Sequence, residues 1–323
     1  MTPDQEEKLS SIERITDGFA ELGYICSPRI ATSIYVAHKL EKPILVEGPA
    51  GVGKTELAKT TSQFMDLPLI RMQCYEGLDE SKALYEWKYG KQLLYTQLLK
   101  DKLSDVMEGT KGLDESIDRL HSYGDIFFSE HFLEPRPLLK ALREPGGAVL
   151  LIDEIDKSDH EFEAFLLEIL SDYQVSIPEI GTVKARSHPL VFLTSNNSRD
   201  MSDALKRRCL HLFIDFPDTK LERRIVQARV PEVTESLKRQ LVSFVQQIRE
   251  LDLKKQPSVS ETIDWARTLM LLHVDELSPK TVRETLNVFL KFEDDIERVD
   301  SQIAKMTQVA RREAGVLVNE PNA

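Results

Sequence analysis

The stretch PILVEGPAGVGKTELAK, residues 43–59, carries in order a short apolar run, three glycines, and then Lys54 and Thr55. A continuous apolar run bounded by breakers reads as a strand buried on both faces. The residues from Lys54 onward read as a helix. Between them GPAGVGKT fits the pattern G-x-x-x-x-G-K-[ST] in full. The chemistry needs these residue types. Glycines let consecutive backbone N–H groups turn inward as a nest for an anion, Lys54 reaches β- and γ-phosphates, and the Thr55 hydroxyl can ligate Mg2+. The helix that follows adds the positive end of its dipole. Gly48, Pro49, Ala50, Gly51, Val52, Gly53, Lys54, Thr55 and the adjoining Glu56 are therefore expected to hold nucleotide phosphates.

A second stretch, AVLLIDEID, is an apolar strand ending in two adjacent carboxylates. Asp153 at the strand's C-terminal end is placed to share Mg2+ with Thr55. Glu154 is placed to orient or deprotonate a water for in-line attack on the γ-phosphate. A third, LTSNNSRD, ends a strand with Asn196 and Asn197. Either amide could hold the attacking water, and Asn pairs are also ordinary turn residues. A fourth, ALKRRC, sets Arg207 and Arg208 before another apolar run. Two arginines can cap a local carboxylate or reach the γ-phosphate bound by a neighbouring subunit.

Five apolar runs at 43–48, 67–74, 147–153, 189–195 and 210–216 alternate with helical segments, which predicts a parallel sheet with helices on both sides. Helical spacing of Leu9, Ile12, Ile15, Phe19 and Leu22 predicts a helix over 5–22 stopped by Gly23, and Ser27-Pro28 predicts the start of the next. Ser158 and Glu161 read as a capping box for a helix over 159–173. After Pro217 the strand signal ends, and residues 219–314 read as four or five amphipathic helices. The expected division is 1–217 as an α/β domain with N-terminal helices and 218–323 as a helical domain. Segments 101–134 and 174–188 interrupt the periodicity, the second with the look of a small hairpin.

Composition narrows the function. The chain has 54 acidic against 42 basic side chains, a net charge of -12, which argues against broad binding to a nucleic-acid backbone. Cys26, Cys74 and Cys209 are far apart and outside any Cys/His cluster, as expected of reduced thiols. The polar, acidic N-terminus and the lack of a long apolar run point to a cytoplasmic protein without a membrane span.

The ordered set of phosphate loop, IDE strand, Asn-tipped strand, RRC and helical region resembles an AAA+ ATPase. The strings YEGLDESKALYEWKYGKQLLY, LLIDEIDKSDHEFEAFLLEIL, LTSNNSRDMSDALKRRC and PSVSETIDWARTL are most similar to the MoxR family, in its branch that accompanies molybdenum hydroxylase and carbon monoxide dehydrogenase operons. The likeness covers roughly residues 20–290. It implies a five-stranded, doubly wound P-loop NTPase core with a C-terminal all-α lid, ATP and Mg2+ as cofactors, and a hexameric ring with sites between subunits. It implies a von Willebrand A domain partner and a protein client that receives a metal cofactor.

By the same resemblance Arg208 takes the place of the arginine finger, with Arg207 beside it as the substitute. Asn196 and Asn197 compete for the sensor position. Tyr24 and Ile25 match the adenine pocket, a core role being equally open. Relatives often carry an arginine at the start of the lid helix, where this chain has Glu261 and Thr262. Arg267, further along, is left as lid sensor or as one half of an outward ion pair. Tyr85, Trp87 and Tyr89 fall where such proteins place a pore-facing loop, and Lys184, Arg186 and His188 fall in the client-touching insertion. For each, core packing or solvated charge is the alternative. A DNA-remodelling motor and a slow nucleotide switch are the competing functions.

Overall fold

The computed structural model describes residues 3–97, 128–178 and 180–316. Nine strands are described: β1 (Ile44–Glu47), β2 (Leu69–Gln73), β3 (Tyr85–Trp87), β4 (Leu133–Pro135), β5 (Val149–Asp153), β6 (Gln174–Ile177), β7 (Gly181–Lys184), β8 (Leu190–Ser195) and β9 (Leu210–Phe213). The five apolar runs form one five-stranded sheet in the order β2-β5-β8-β1-β9. Within it Leu69–Gln73 pairs in parallel with Val149–Asp153, and β5 in turn with β8. β5 is buried along its whole length, as its continuous apolar sequence predicts. β2 and β9, at the two ends of the strand order, are half open to solvent, and β2 carries the polar Arg71 and Gln73 at alternate positions.

The described residues fall into two compact units. One lies within Met1–Glu7, Val36–Leu45 and Met65–His211, the other within Lys8–Tyr35, Val46–Phe64 and Leu212–Ala323.

In the first unit a single apolar core joins β2, β5 and β8 to the helices Pro137–Arg143 and His160–Asp172. Leu138, Leu139 and Leu142 of the former and Phe162, Leu166 and Ile169 of the latter supply the buried faces. β3 and β4 form a short antiparallel pair. The expected hairpin in 174–188 is present, with Gln174 opposite Lys184 and Val175 and Ile177 turned into the core. The capping box at Ser158 is not. The Ser158 hydroxyl donates to Ile155 O at 2.8 Å in the preceding turn, so the cap moves to Asp159, whose carboxylate accepts the Phe162 N–H at 2.8 Å. Most of segment 101–134 lies outside the described residues.

In the second unit a separate core is built from C-terminal helices around Trp265, Phe244 and Phe289. Six helices are described after Pro217, against the four or five expected: Thr219–Arg229, Glu235–Arg249, Val259–Leu271, Pro279–Phe289, Glu293–Asp300 and Ile303–Glu313. The extra one arises because the chain leaves the helix at Leu290, in extended backbone, and restarts at Glu293. The helix predicted over 5–22 is likewise two, Pro3–Lys8 and Ile12–Glu21. Ser11 caps the second by accepting the Arg14 N–H at 3.2 Å, and a side chain that bonds the backbone in this way competes with helix continuation. Gly23, at φ 75°, ends the segment as expected. All three cysteines are buried and unbridged. No helix among the described residues is long and apolar enough to cross a membrane.

Candidate nucleotide site and acidic strand tip

β1 runs into the glycine-rich loop, which lies in the second unit and leads into the helix Lys54–Met65. Gly48 has φ 146°, and a Cβ there would lie 2.0 Å from the Ile214 carbonyl oxygen. Only glycine permits that approach. Gly51, at φ 73°, has the side chain of Ser258 where its Cβ would be, 2.5 Å away. Its carbonyl accepts from both the N–H and the hydroxyl of Ser260, each at 3.3 Å. With Gly51 O bonded to the first turn of helix Val259–Leu271, the loop is tied down on its outer side. Lys54 is buried, and its ammonium donates to the carbonyls of Gly48 and Pro49 at 2.7 Å each. Pro49 and Thr55 are half-buried and Ala50 is exposed.

A cavity of about 460 Å³ adjoins this loop, within the size range of small-molecule sites. Gly51, Val52, Gly53 and Glu56 line one side, and Tyr24, Ile25 and Arg267 also face it. Tyr24 is buried beside Gly53 and packs edge-on against Phe19, and burial pushes its phenol pKa up, so it stays neutral. Glu56 pairs with Arg229 at 2.6 Å, joining the loop's helix to helix Thr219–Arg229. Arg267 lines the cavity and lies 3.5 Å from Asp264, its side chain 56% exposed, so the outward ion pair is present.

In the first unit, β5 ends at Asp153 and the backbone turns at Glu154 into the left-handed region, φ 56° and ψ 52°. A non-glycine residue held there marks a site whose surroundings fix it. Asp153 is buried, accepting the Thr194 hydroxyl at 2.5 Å on one oxygen and two Arg71 nitrogens at 2.6 and 3.1 Å on the other. Thr194 also accepts the Glu154 N–H at 2.9 Å. The Glu154 carboxylate receives Gln73 Nε2 at 2.7 Å, Lys157 Nζ at 2.6 Å and Asn196 Nδ2 at 3.3 Å. The hydrogen bond and charge of Glu154 raise the pKa of Lys157.

Of the two asparagines, then, Asn196 meets Glu154. Asn197 is exposed, at φ 59°, with its N–H on the Ser195 hydroxyl at 3.0 Å. The turn that sorts them is held by Asp156. Burial opposes its ionisation, yet the Ser198 hydroxyl at 2.6 Å, the Ser198 amide at 3.0 Å and the Asn196 amide at 3.3 Å keep its carboxyl below the ordinary range.

Arg208 donates to the Ser171 hydroxyl at 2.5 Å and to Ala204 O at 3.2 Å, whereas Arg207 is exposed and makes no hydrogen bond or ion pair among the described residues. Trp87 belongs to the core with Tyr85 edge-on against it, and only Tyr89 of that trio is open, at 63% exposure. Lys184 and Arg186 are exposed, and His188 stacks on Tyr173 and meets Glu41 at 2.8 Å. Sequence reading passed over Arg71, Gln73, Thr194 and Ser260. A signal for the first two was there: polar residues at alternate positions of the otherwise apolar run LPLIRMQC.

A five-stranded parallel sheet with helices, a complete phosphate loop after β1 and an all-α C-terminal region define an α/β P-loop NTPase. Residues 43–209 match the family described as AAA domain (dynein-related subfamily), and the chain belongs to that family. An uncharacterized protein of Staphylococcus epidermidis is 27% identical over 239 residues, covering 72% of this chain and 77% of its own length. An uncharacterized protein of Staphylococcus aureus is 26% identical over 268 residues, covering 80% and 88%.

Proposed function

We propose that the protein is an ATP-hydrolysing chaperone of the MoxR type, which remodels a client protein for metal-cofactor insertion together with a von Willebrand A domain partner. The observation that carries the hydrolytic part is Glu154, a carboxylate beyond the end of β5 whose backbone is strained and whose oxygens are aimed by Gln73, Lys157 and Asn196. The placing of the client and partner rests on the motif strings that resemble that branch.

Family membership implies nucleotide use and usually a magnesium ion. The residues fit such an ion. Among the described residues no group of three or more His, Cys, Asp or Glu could form a protein cage, and magnesium in nucleotide sites keeps waters and phosphate oxygens with only one or two protein ligands. The buried Asp153 carboxylate already draws a cationic partner. By the motif resemblance Thr55 and Asp153 would hold the ion, which would offset phosphate charge. Glu154 takes the proton of the attacking water, and Asn196 fixes that water's position. Lys54 leaves its loop carbonyls for the phosphates. Tyr24 and Ile25 receive the base. An arginine of a neighbouring copy, Arg208 or Arg207, completes the charge compensation in a ring.

Phosphate release and binding of a fluorescent ATP analogue, measured on the wild type and on Glu154→Gln, test this. Turnover is expected to fall by at least about 100-fold in the variant with ATP still bound. Intact turnover removes Glu154 from the reaction. Stimulation of the wild type by DNA would replace the chaperone reading with a DNA motor, and a ring trapped on a client by Glu154→Gln in ATP would support it.

A further inference from the structure

We propose that Arg71 is a resident stand-in for the divalent ion at Asp153, which the ion must displace, and that its departure is transmitted through Gln73 to Glu154. The inference rests on the nucleotide-hydrolysing reading above.

Three observations carry it. The first is charge. Asp153 is nearly inaccessible, and a buried carboxylate without a cation or sufficient donors is costly. Thr194 satisfies one oxygen, and Arg71 covers the other with two nitrogens. That second oxygen already holds a cation.

The second is mobility. The Arg71 side chain is 50% exposed, so a guanidinium released from Asp153 has solvent to enter, whereas Asp153 at 5% has nowhere to go. Exchange of one cation for another on a fixed carboxylate is therefore open at this site.

The third is connection. Arg71 and Gln73 stand two residues apart on β2, so their side chains leave the same face. The Arg71 nitrogen that bonds Asp153 also donates to Gln73 Oε1 at 2.8 Å. This orients the amide so that its nitrogen donates to Glu154 at 2.7 Å. Asp153, Arg71, Gln73 and Glu154 form one continuous chain of charge-assisted hydrogen bonds. Withdrawing the guanidinium frees the Gln73 amide to turn, and Glu154 loses one of its three side-chain restraints. Glu154 is thus held while Asp153 lacks its metal and loosened when the metal arrives.

The test is a magnesium titration of the binding of a fluorescent non-hydrolysable ATP analogue to the full chain. The variant Arg71→Met removes the competing cation and keeps the length of the side chain. The magnesium concentration at half-saturation is expected to fall about tenfold, a difference of ~1.4 kcal/mol, with affinity in EDTA unaltered. Arg71→Lys, which keeps a charge but not the two-nitrogen grip or the hold on Gln73, is expected to lie between, about threefold below wild type, and it serves if the methionine variant folds poorly. The Gln73 side-chain amide resonance should move on Arg71→Met in the direction it moves when magnesium and nucleotide are added to the wild type.

An unchanged or raised magnesium half-point overturns the stand-in. Weaker binding in EDTA would make Arg71 a phosphate ligand instead and also overturns it. A Gln73 resonance indifferent to the substitution overturns the transmission to Glu154. If the wild type binds no nucleotide at any magnesium concentration, the reading of the site fails first.

Discussion

Arg249 grips Glu222 with two nitrogens on two oxygens, 2.7 Å each, in the interior of the C-terminal helices. The pair is all but inaccessible, with side-chain exposures of 7% and 0%. Gln246 and the Thr262 hydroxyl add bonds to Glu222, while Arg249 also reaches Pro257 O and lies 4.7 Å from the centre of the Phe216 ring. One ion pair thereby joins three helices to the segment that precedes helix Val259–Leu271. Arg249→Met alone strands a buried carboxylate and is expected to lower unfolding free energy by about 3–5 kcal/mol. The double replacement Glu222→Met with Arg249→Met should recover most of that loss. Chemical denaturation of the single and double variants checks both.

Asn196 and Asn197 are separable by experiment. Asn196→Ala removes an amide from Glu154 and is expected to reduce turnover by about 10–100-fold, with little change in nucleotide affinity. Asn197→Ala should leave turnover near wild type. Its cost is structural, on the order of 1 kcal/mol, because alanine tolerates the left-handed backbone less well than asparagine. Phosphate-release kinetics and thermal melts of the two variants read the difference. Equal loss of turnover in both would refute the assignment.

Gly48 is fixed by backbone rather than by a yielding side chain. A methyl group there meets the Ile214 carbonyl at 2.0 Å, so Gly48→Ala must move β1 or the Ile214 backbone. Nucleotide affinity is expected to drop by at least about 100-fold, since the loop's amides must converge on one anion. Gly146→Ala, where nothing lies within 4 Å, is the control and should bind as the wild type does. Equilibrium titration with the fluorescent analogue compares them.

Glu163 links stability to acid. Burial raises its pKa, but the Ser202 hydroxyl and amide together with Arg199 outweigh burial, and the folded value lies below the ordinary 4.5. A depressed folded pKa gives stability that is complete above about 4.5 and is lost as the pH falls through the folded value. Asp156, depressed below 3.8, acts in the same direction slightly lower on the scale. Glu163→Gln is expected to lose on the order of 3 kcal/mol at neutral pH by leaving Arg199 unpaired. Its stability should then fall less steeply than wild type on acidification below pH 4.5. Denaturant melts from pH 7 to about 3 give the two slopes. Parallel slopes would refute the linkage.

The central sheet was legible because runs such as VLLID are apolar without alternation, and only burial on both faces tolerates that. The phosphate loop was legible because its glycines and lysine have no substitutes and only serine can replace its threonine. What escaped is local competition and lateral contact. Ser11 and Asp159 decide helix starts by bonds of a few ångströms that periodicity does not register. Arg71 and Gln73 acquire meaning only when parallel pairing sets Gln73 against Asp153, 80 positions along the chain. The order of Asn196 and Asn197 could not be read either, because the left-handed turn that sorts them is fixed by Asp156 and Ser198 in the folded chain.

The hold of Ser260 on the Gly51 carbonyl has a thermodynamic corollary. A glycine-rich loop free in solution would lose much backbone entropy on wrapping an anion, on the order of 1–2 kcal/mol per residue fixed. Here Ser260 and the packing of Ser258 against Gly51 hold this part of the loop in shape through contacts within the protein itself. The ordering is charged to folding rather than to ligand capture. Replacing Ser260 by alanine should therefore make binding entropically less favourable, an effect calorimetry separates from a lost contact.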